Sequence, residues 1–361
     1  MSKAIHGGNV WEASRRFGRS PKEFLDFSSN LNPLGPPRAV QEVLAQHLQD
    51  VAFYPDPEAR EAREHLAAWL DVPVESVLLT NGGVEALYLA LFLFQPRRLL
   101  SPVPTFVEGI AGARAVGAEV LEVTASPREG FQLPLGALLK GLSHADLVYL
   151  CNPNNPTGVL ASREKVLRIV REAKGRCAVL VDEAFVDFAG REHSLVQEAT
   201  RADGVVVIGS LTKLFAFPGL RLGYAVASPS TIEALRGLQP PWSVNILAQH
   251  ALIAALSDRA YVAETIRLIS AERAFLSSQI SSLAGYITFP SQTNFLLVDI
   301  SGTGLRSGEL WERLGRWGIL VRDCASIPGL GDWYIRVAVR KREENLALLA
   351  AMAKESVPQR S

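Results

Sequence analysis

The chain has 361 residues, of which 48% are hydrophobic and 20% are charged, and 37 Lys and Arg residues balance 37 Asp and Glu residues. This composition is typical of a globular protein and lacks the basic excess of a nucleic-acid-binding protein, so we expect a small-molecule partner and no nucleic acid. The length exceeds the usual size of one hydrophobic core, which predicts a large domain with a smaller companion.

Targeting and metal-binding signals are missing from the sequence. Residues 1–16 contain no apolar signal-peptide core, and no run approaches the roughly 18 apolar residues that a membrane span needs. We therefore predict a cytoplasmic protein without a membrane partner. Cys151, Cys177 and Cys324 are scattered without CxxC spacing, so we predict no bound metal and interpret all three as small buried hydrophobic residues.

The middle of the chain alternates strand-like and helix-like segments. Short apolar runs that predict strands occupy residues 77–80, 97–100, 118–123, 146–150, 177–181 and 204–209. Helical periodicity fills the segments 84–94 and 162–174. Because the strand-like runs are apolar throughout instead of alternating, we expect an α/β fold with a mostly parallel central sheet flanked by helices.

The last third of the chain has a different pattern, which predicts a smaller α+β domain. Helical segments at 230–256 and 261–283 precede a strand, a helix around Leu310, two further strands and a terminal helix. We predict three parts, which are an N-terminal segment contributing to the small domain and the active site (1–45), a large domain (46–258) and a small C-terminal domain (259–361).

The segment SLTKLFAFPGLRLGY, residues 210–224, follows a predicted strand and groups polar side chains around one lysine. Ser210 and Thr212 lie beside Lys213, and Arg221 follows eight residues later. Hydroxyls and a guanidinium bind phosphate, and an amine attacks a carbonyl carbon, so this set suits a phosphate-bearing aldehyde. Taken alone, the segment also fits a loop with a solvated lysine.

Two other strand ends carry candidate ligand-binding groups. Gly82, Gly83 and Val84 lie between a strand and a helix, where backbone N–H groups and the helix dipole attract phosphate. In CNPNNPTG, residues 151–158, two prolines restrain the backbone and present Asn155 rigidly. Each segment taken alone also fits a turn that binds no ligand.

VDEAFVDF, residues 181–188, places Asp182 at the carboxyl end of a strand, where open parallel sheets bind their ligands. A buried carboxylate there can pair with a protonated pyridine nitrogen and keep the ring an electron sink. A helix cap and a metal-binding Asp-Glu pair are the alternatives that the residues leave open.

GTGLRSG, residues 302–308, approximates a dinucleotide-binding fingerprint because it follows a strand, precedes a helix and is trailed by Asp323. Its third glycine is one place late, and residues 309–361 are too few for the rest of such a domain. We interpret the motif as a loop of the small domain. A nicotinamide-dependent oxidoreductase is the alternative that depends on it.

In the order TNGG, CNPNNPTG, VDEAF and SLTK with GLRLGY, the four segments resemble fold type I enzymes that depend on pyridoxal 5'-phosphate (PLP), particularly the branch that contains the histidinol-phosphate aminotransferases. The resemblance implies that Lys213 carries PLP as a Schiff base, that Asp182 pairs with the pyridine nitrogen and that Asn155 contacts the ring hydroxyl. The implied phosphate ligands are Ser210, Thr212 and Arg221, with Gly82, Gly83 and Val84 as the backbone cradle.

Two aromatic residues gain a role only through this resemblance. Phe106, in SPVPTFVEG, lies where the family stacks an aromatic ring on the cofactor, although a phenylalanine is more often a core residue. Tyr54, in FYPDP, resembles the tyrosine that reaches the cofactor phosphate of a neighbouring subunit. The resemblance therefore implies a homodimer with active sites at its interface.

A finer resemblance covers nearly the whole chain. The segments HGGN (6–9), DFSSNLNPLG (26–35), PWSVN (241–245), VRDCASIPGL (321–330) and YIRVAVR (334–340) resemble the threonine-phosphate decarboxylases of cobalamin biosynthesis. Those enzymes release carbon dioxide from O-phospho-L-threonine and yield (R)-1-amino-2-propanol phosphate. The implied substrate-binding residues are His6, Gly7, Asn30, Asn155, Arg322 and Arg336, with Arg336 on the α-carboxylate.

The chemistry of such a substrate agrees with two separated arginines, because guanidinium groups bind carboxylate and phosphate through paired hydrogen bonds. Asp323, directly beside Arg322, would weaken anion binding if its side chain pointed inward. The residue types alone do not separate decarboxylation from transamination, so a histidinol-phosphate or related aminotransferase stays open. A catalytically silent PLP-binding regulatory domain would need an attached DNA-binding segment.

Overall fold

The computed structural model describes residues 7–355. Its strands are β1 Leu25–Asp26, β2 Val77–Thr80, β3 Arg98–Val103, β4 Glu119–Thr124, β5 Leu147–Cys151, β6 Ala178–Asp182, β7 Val205–Ser210, β8 Gly223–Val226, β9 Ile287–Thr288, β10 Phe295–Asp299, β11 Ile319–Leu320, β12 Arg322–Asp323 and β13 Tyr334–Ala338. Its helices are α1 Val10–Phe17, α2 Arg38–Gln46, α3 Arg60–Leu70, α4 Gly83–Phe94, α5 Val107–Ala115, α6 Leu135–Gly141, α7 Arg163–Ala173, α8 Val186–Ala189, α9 Val196–Ala199, α10 Leu211–Leu214, α11 Pro229–Leu238, α12 Ile246–Ser257, α13 Arg259–Ser282, α14 Ser307–Arg316 and α15 Arg342–Lys354.

A seven-stranded sheet with the order β2-β8-β7-β6-β5-β3-β4 forms the centre of the molecule. Its neighbouring strands are parallel except at β8, which runs antiparallel to β2 and β7. The predicted α/β fold with a mostly parallel sheet is confirmed. The six predicted strands are all present, whereas β8 was not predicted because its four residues follow directly on the polar segment around Lys213.

Both faces of the central sheet are covered, which explains why its strands are apolar throughout. In β6, Val179 and Val181 point into one hydrophobic cluster, and Leu180 points into the cluster on the opposite face. Polar side chains are consequently confined to the strand ends. The carboxyl ends of β5, β6 and β7 lie side by side, with Cys151 paired to Asp182 and Asp182 paired to Ile208.

A second sheet with the order β12-β13-β10-β9 is antiparallel throughout. Because both neighbours of β10 are antiparallel to it, the motif at 302–308 lies outside any parallel βαβ unit of the dinucleotide-binding type. The N-terminal strand β1 pairs in parallel with β11, which joins residues 25–26 to the last third of the chain. The division into parts at 45 and 258 stays a prediction.

Several local features differ from the sequence-based expectation. The helical segment 230–256 is two helices, α11 and α12, because Pro240 and Pro241 interrupt it. Helix α1 was not predicted, and Cys177 is only partly buried, whereas Cys151 and Cys324 are buried. Within residues 7–355, none of the helices combines the length and the apolar character needed to span a bilayer.

Asn32 fastens the N-terminal segment to the elements that carry Lys213. Its buried side-chain nitrogen, which has two N–H groups to donate, lies 2.8 Å from the carbonyl oxygen of Leu214 and 2.8 and 2.7 Å from the hydroxyl oxygens of Tyr261 and Thr265. Its backbone N–H donates to the carbonyl oxygen of Lys213 at 3.1 Å. One buried side chain thus joins three segments that are distant in sequence.

We expect Asn32→Ala to lower the free energy of unfolding by about 1–3 kcal/mol, because it leaves buried acceptors without their donor. Urea unfolding measures the change. Gln41→Ala is the control, since that amide is exposed and its loss should cost no more than about 0.5 kcal/mol. Equal stabilities of the two variants would contradict this role for Asn32.

Candidate active site

A cavity of about 490 Å³ lies at the carboxyl ends of β5, β6 and β7 and collects most of the residues predicted from the sequence. The predicted residues on its wall are Gly7, Asn30, Gly83, Val84, Phe106, Asn155, Asp182, Ser210, Thr212, Lys213, Arg221, Arg322 and Arg336. Gly82 and Tyr54 are not on this wall, and His6 falls outside the described residues. The volume is that of a site for a cofactor or small metabolite.

Lys213 lies on the short helix α10, which directly follows β7. The Lys213 amine is buried, and the positive charges of Arg336 and Arg221 act on it. Burial is the largest influence and, with the charges of Arg336 and Arg221, lowers the pKa of Lys213 to about 8, whereas Asp182 acts in the opposite direction. The amine is therefore far more often unprotonated near neutral pH than an ordinary lysine, as a nucleophile that attacks a carbonyl requires.

The groups around Gly83 form a cradle for a phosphate. The hydroxyls of Ser210 and Thr212 lie 2.8 Å apart, and α4 begins at Gly83 with its N-terminus on the cavity wall. Gly82 has a φ of +81°, and an added Cβ would lie 2.6 Å from Nη2 of Arg221. Glycine therefore leaves the space in which an exposed guanidinium can approach the helix N-terminus, where an anion is stabilised.

Asp182 is a buried carboxylate whose two oxygens are held by separate donors. The Ala184 N–H donates to Oδ1 at 3.0 Å, and the hydroxyl of Tyr149 donates to Oδ2 at 3.1 Å. Burial raises the pKa of Asp182 to about 6, and both hydrogen bonds and Lys213 counteract that rise. Asp182 is thus mostly ionised at neutral pH and suited to a cationic N–H in the cavity.

The neighbouring Glu183 faces the other way, and it accepts from the hydroxyl of Ser194 and from the Leu195 N–H. Asp182 and Glu183 therefore do not converge on one point, which removes the metal-binding Asp-Glu pair as an interpretation. A different group, His47, Asp50 and His250, brings possible ligand atoms within 4.8 Å of one another. Its imidazole rings stack at 3.9 Å, so their in-plane lone pairs do not converge on one ion, and the absence of a metal stays a prediction.

The two predicted substrate arginines come from adjacent strands of the small sheet. Arg322 of β12 and Arg336 of β13 are register partners, and both side chains are buried on the cavity wall. Arg336 donates from Nη1 to Oδ1 of Asn155 at 2.6 Å and from Nη2 to the carbonyl oxygen of Ser28 at 2.9 Å. Arg322 donates to the hydroxyl of Ser326 at 3.2 Å.

Asp323 lies on the opposite side of its strand from Arg322. Its Oδ1 accepts from the hydroxyl of Ser307 at 2.6 Å and from the Ala325 N–H at 2.9 Å, beside the start of α14. Successive side chains of a strand point to opposite faces, so this carboxylate is directed away from the cavity. Asp323 is not on the cavity wall, so its carboxylate does not take the inward position considered from the sequence, and its charge acts on Arg322 from outside the cavity.

Three residues that line the cavity each carry a buried polar atom without a hydrogen-bond partner among the described residues: Nε of Arg336, Oδ1 of Asn30 and Oγ1 of Thr105. Buried polar groups are normally paired, so these atoms mark positions where a polar ligand fits. Thr105 and Tyr149 were not predicted from the sequence. Thr105 precedes Phe106 at the end of β3, and the rule that ligands bind beyond the carboxyl ends of parallel strands was a signal for it.

A model of the protein family described as aminotransferase class I and II matches residues 22–352. The chain belongs to this family. It is 36% identical over 98% of its length to a threonine-phosphate decarboxylase of Salmonella typhimurium, covering 96% of that protein. It is 34% identical over 94% of its length to a histidinol-phosphate aminotransferase of Methanopyrus kandleri, covering 90% of that protein.

Among solved structures, the fold matches a histidinol-phosphate aminotransferase of Sinorhizobium meliloti in complex with pyridoxal-5'-phosphate, with a TM-score of 0.86, 22% identity and 98% of each chain covered. The present chain, as a member of the aminotransferase class I and II family, has PLP as its cofactor. The phosphate cradle, the confined amine of Lys213 and the buried carboxylate of Asp182 fit the phosphate, aldehyde and pyridine groups of PLP.

The lowered pKa of Lys213 predicts how PLP attaches to the apoprotein. The rate of covalent attachment should rise with pH and level off above about 8, because the amine reacts only when it is unprotonated. Borohydride reduction at timed intervals, followed by mass spectrometry, measures that rate. Lys213→Ala should give no adduct and Lys174→Ala a normal one, and a midpoint near the ordinary lysine value of 10.5 would contradict the assignment.

Proposed function

We propose that this PLP-dependent enzyme decarboxylates O-phospho-L-threonine to (R)-1-amino-2-propanol phosphate and carbon dioxide, as a step of cobalamin biosynthesis. The observation that carries the proposal is the register pair Arg322 and Arg336, two buried cations on one cavity wall. A substrate with two anionic groups can place one group against each of them. The similarity to the Salmonella typhimurium decarboxylase over nearly the whole chain supports the same choice.

In this proposal the α-carboxylate lies against Arg336, whose Nε is unpaired and whose other nitrogens are held by Asn155 and Ser28. The substrate phosphate lies against Arg322 and Ser326. These contacts fix the substrate by both ends, and that orientation selects which bond at Cα aligns with the cofactor. When bound, PLP would supply an electron sink for the bond that breaks, and Asp182 would keep its ring nitrogen cationic.

Lys213 has a second task in the proposed reaction. The protonated Lys213 amine lies on the cavity wall, from where it would deliver a proton to Cα after carbon dioxide has left. Its pKa of about 8 suits proton transfer near neutral pH, because both protonation states are accessible there. We assign Lys213 as the catalytic residue on this basis.

Product analysis tests the proposal. We expect the PLP-loaded protein to release one carbon dioxide per aminopropanol phosphate from O-phospho-L-threonine, many times over, while its cofactor remains an aldehyde. Accumulation of pyridoxamine phosphate, with turnover of histidinol phosphate and a keto acid, would instead establish an aminotransferase. Lys213→Ala is the inactive control.

Arg322→Gln should lower kcat/KM for O-phospho-L-threonine about 30-fold or more, because removing one partner of a buried charge pair costs about 2–5 kcal/mol. The loss should be much smaller for unphosphorylated threonine if Arg322 binds the phosphate. Arg306→Gln is the control, since that exposed guanidinium pairs with Asp332 outside the cavity. An equal loss for both substrates would overturn the assignment of Arg322.

We further propose a homodimer in which Tyr54 reaches the partner's active site. Tyr54 is 77% exposed and packs against Trp242, which is 48% exposed, with ring centroids 4.6 Å apart. Phe53 beside them is 70% exposed. A cluster of exposed aromatic side chains of this kind marks an interaction surface.

Mixing two impaired variants tests that arrangement. If Tyr54 acts across the interface, a heterodimer of Lys213→Ala and Tyr54→Ala contains one site with both native residues, so mixing should restore activity. If Tyr54 acts within its own chain, no site regains both residues and mixing should restore nothing. Light scattering on each variant checks that the dimer is intact.

A further inference from the structure

We propose that Tyr149 is a positioning residue that keeps the Asp182 carboxylate ionised and directed at the cofactor. The proposal rests on the assignment of Asp182 as the partner of the PLP ring nitrogen. It adds a residue that neither the sequence motifs nor the cavity wall includes. Tyr149 acts through Asp182 and does not itself touch the substrate.

The register of the neighbouring strands β5 and β6 determines where the Tyr149 side chain lies. Tyr149 of β5 pairs with Leu180 of β6, and two residues further on Cys151 pairs with Asp182. Residues two apart on a strand share a face, so the Tyr149 side chain runs along the same face as Asp182. Its hydroxyl reaches Oδ2 at 3.1 Å, and its side chain is completely buried.

The Tyr149 ring is held from the other side by α5. Gly109 lies two residues after the start of that helix, and an added Cβ there would overlap the Tyr149 ring. The absence of a side chain at Gly109 thus gives the ring its place. Since α5 directly follows Phe106, the helix links the aromatic residue on the cavity wall to the ring that orients Asp182.

In the hydrogen bond between Tyr149 and Asp182, the Tyr149 hydroxyl is the donor throughout the pH range near neutrality. Burial, together with the charge of Asp182, raises the pKa of Tyr149 well above its usual value, so its hydroxyl stays protonated and donates. An ionised carboxylate accepts such a bond more strongly than a neutral one. Tyr149 and the Ala184 N–H each occupy one oxygen of Asp182, so the carboxylate has a fixed orientation toward the cavity.

Loss of the Tyr149 hydroxyl should therefore raise the pKa of Asp182 above about 6, because burial would be opposed by one hydrogen bond fewer. The upward change in the pKa of Asp182 affects how tightly the cofactor binds. A protonated Asp182 cannot pair with a cationic ring nitrogen, so the cofactor binds less tightly as pH falls through the pKa of Asp182. In the variant, this weakening should begin at a higher pH.

The experiment measures the dissociation constant of PLP from the full-length holoenzyme by equilibrium dialysis between pH 5 and 9, without substrate. Tyr149→Phe should bind PLP about tenfold more weakly at neutral pH, with the acid-side loss of affinity shifted upward by about one pH unit. Tyr224→Phe is the matched control. The Tyr224 ring is also buried and packs against a glycine, Gly209. The carboxyl groups that act on its hydroxyl, however, are those of Asp187 and Glu183 and not that of Asp182.

A second pair of variants tests the ring position without removing the hydroxyl. Gly109→Ala should displace Tyr149 and reproduce the upward pH shift. Gly112→Ala, on the same helix, meets mainly the end of the flexible Leu91 side chain and should leave the pH dependence unchanged. Thermal unfolding of each variant confirms that the comparison is made between folded proteins.

Asp182→Asn separates this proposal from the assignment on which it rests. If that variant loses the acid-side dependence while Tyr149→Phe behaves like the native protein, the role of Tyr149 is overturned and the site assignment stands. If Asp182→Asn retains the native dependence, Asp182 is not the group that titrates, and the assignment fails together with the proposal. Neither result depends on which substrate the enzyme uses.

Discussion

The architecture of the site depends on the hydrogen bonds made by the buried guanidinium of Arg336. This guanidinium extends from the small sheet, bonds to Asn155 beyond the end of a central-sheet strand and bonds to the backbone of Ser28 in the N-terminal segment. A buried charge is costly unless it is paired and hydrogen-bonded, so these contacts hold three distant parts of the chain in one geometry. Arg336 also lines the cavity, and its remaining nitrogen has no hydrogen-bond partner among the described residues.

The charges around the cavity explain the chemistry assigned to it. Arg221, Arg322 and Arg336 lie on the same cavity wall as Lys213, and Arg336, Arg221 and the buried carboxylate of Asp182 are the charges that act on the Lys213 amine. Burial, together with the charges of Arg336 and Arg221, lowers the pKa of Lys213, and the same positive charges suit the cavity to phosphate and carboxylate groups. Burial acts on Asp182 in the opposite sense, and its hydrogen bonds keep it a carboxylate at neutral pH.

The sequence predicted the parts of this site that short motifs encode. Lys213, Asp182 and Asn155 each follow an apolar run, and the rule for parallel sheets places such residues at one edge. Strand β8 escaped prediction because its four residues follow directly on the polar segment around Lys213, and helix α1 because it is only eight residues long. Thr105 was missed although its place beyond the end of β3 was a signal for it, and Tyr149 could not be assigned a role, since a hydrogen bond between neighbouring strands depends on tertiary packing.

The orientation of Asp323 also could not be predicted from the sequence. The sequence shows that Asp323 is next to Arg322 in the chain, but it does not show which face of the sheet the Asp323 side chain occupies. The register of β12 with β13 supplied that information. Decarboxylation and transamination use nearly the same residues, so the outcome depends on how the substrate is oriented. The orientation in turn depends on which arginine binds which anion.

The most direct test is therefore a crystal structure of the Lys213→Ala variant with PLP and O-phospho-L-threonine bound. The account predicts the α-carboxylate within hydrogen-bond distance of Nε of Arg336 and the phosphate within hydrogen-bond distance of Arg322 and Ser326. A carboxylate on Arg322, or a substrate phosphate away from both arginines, would contradict the account of how this site recognises its substrate.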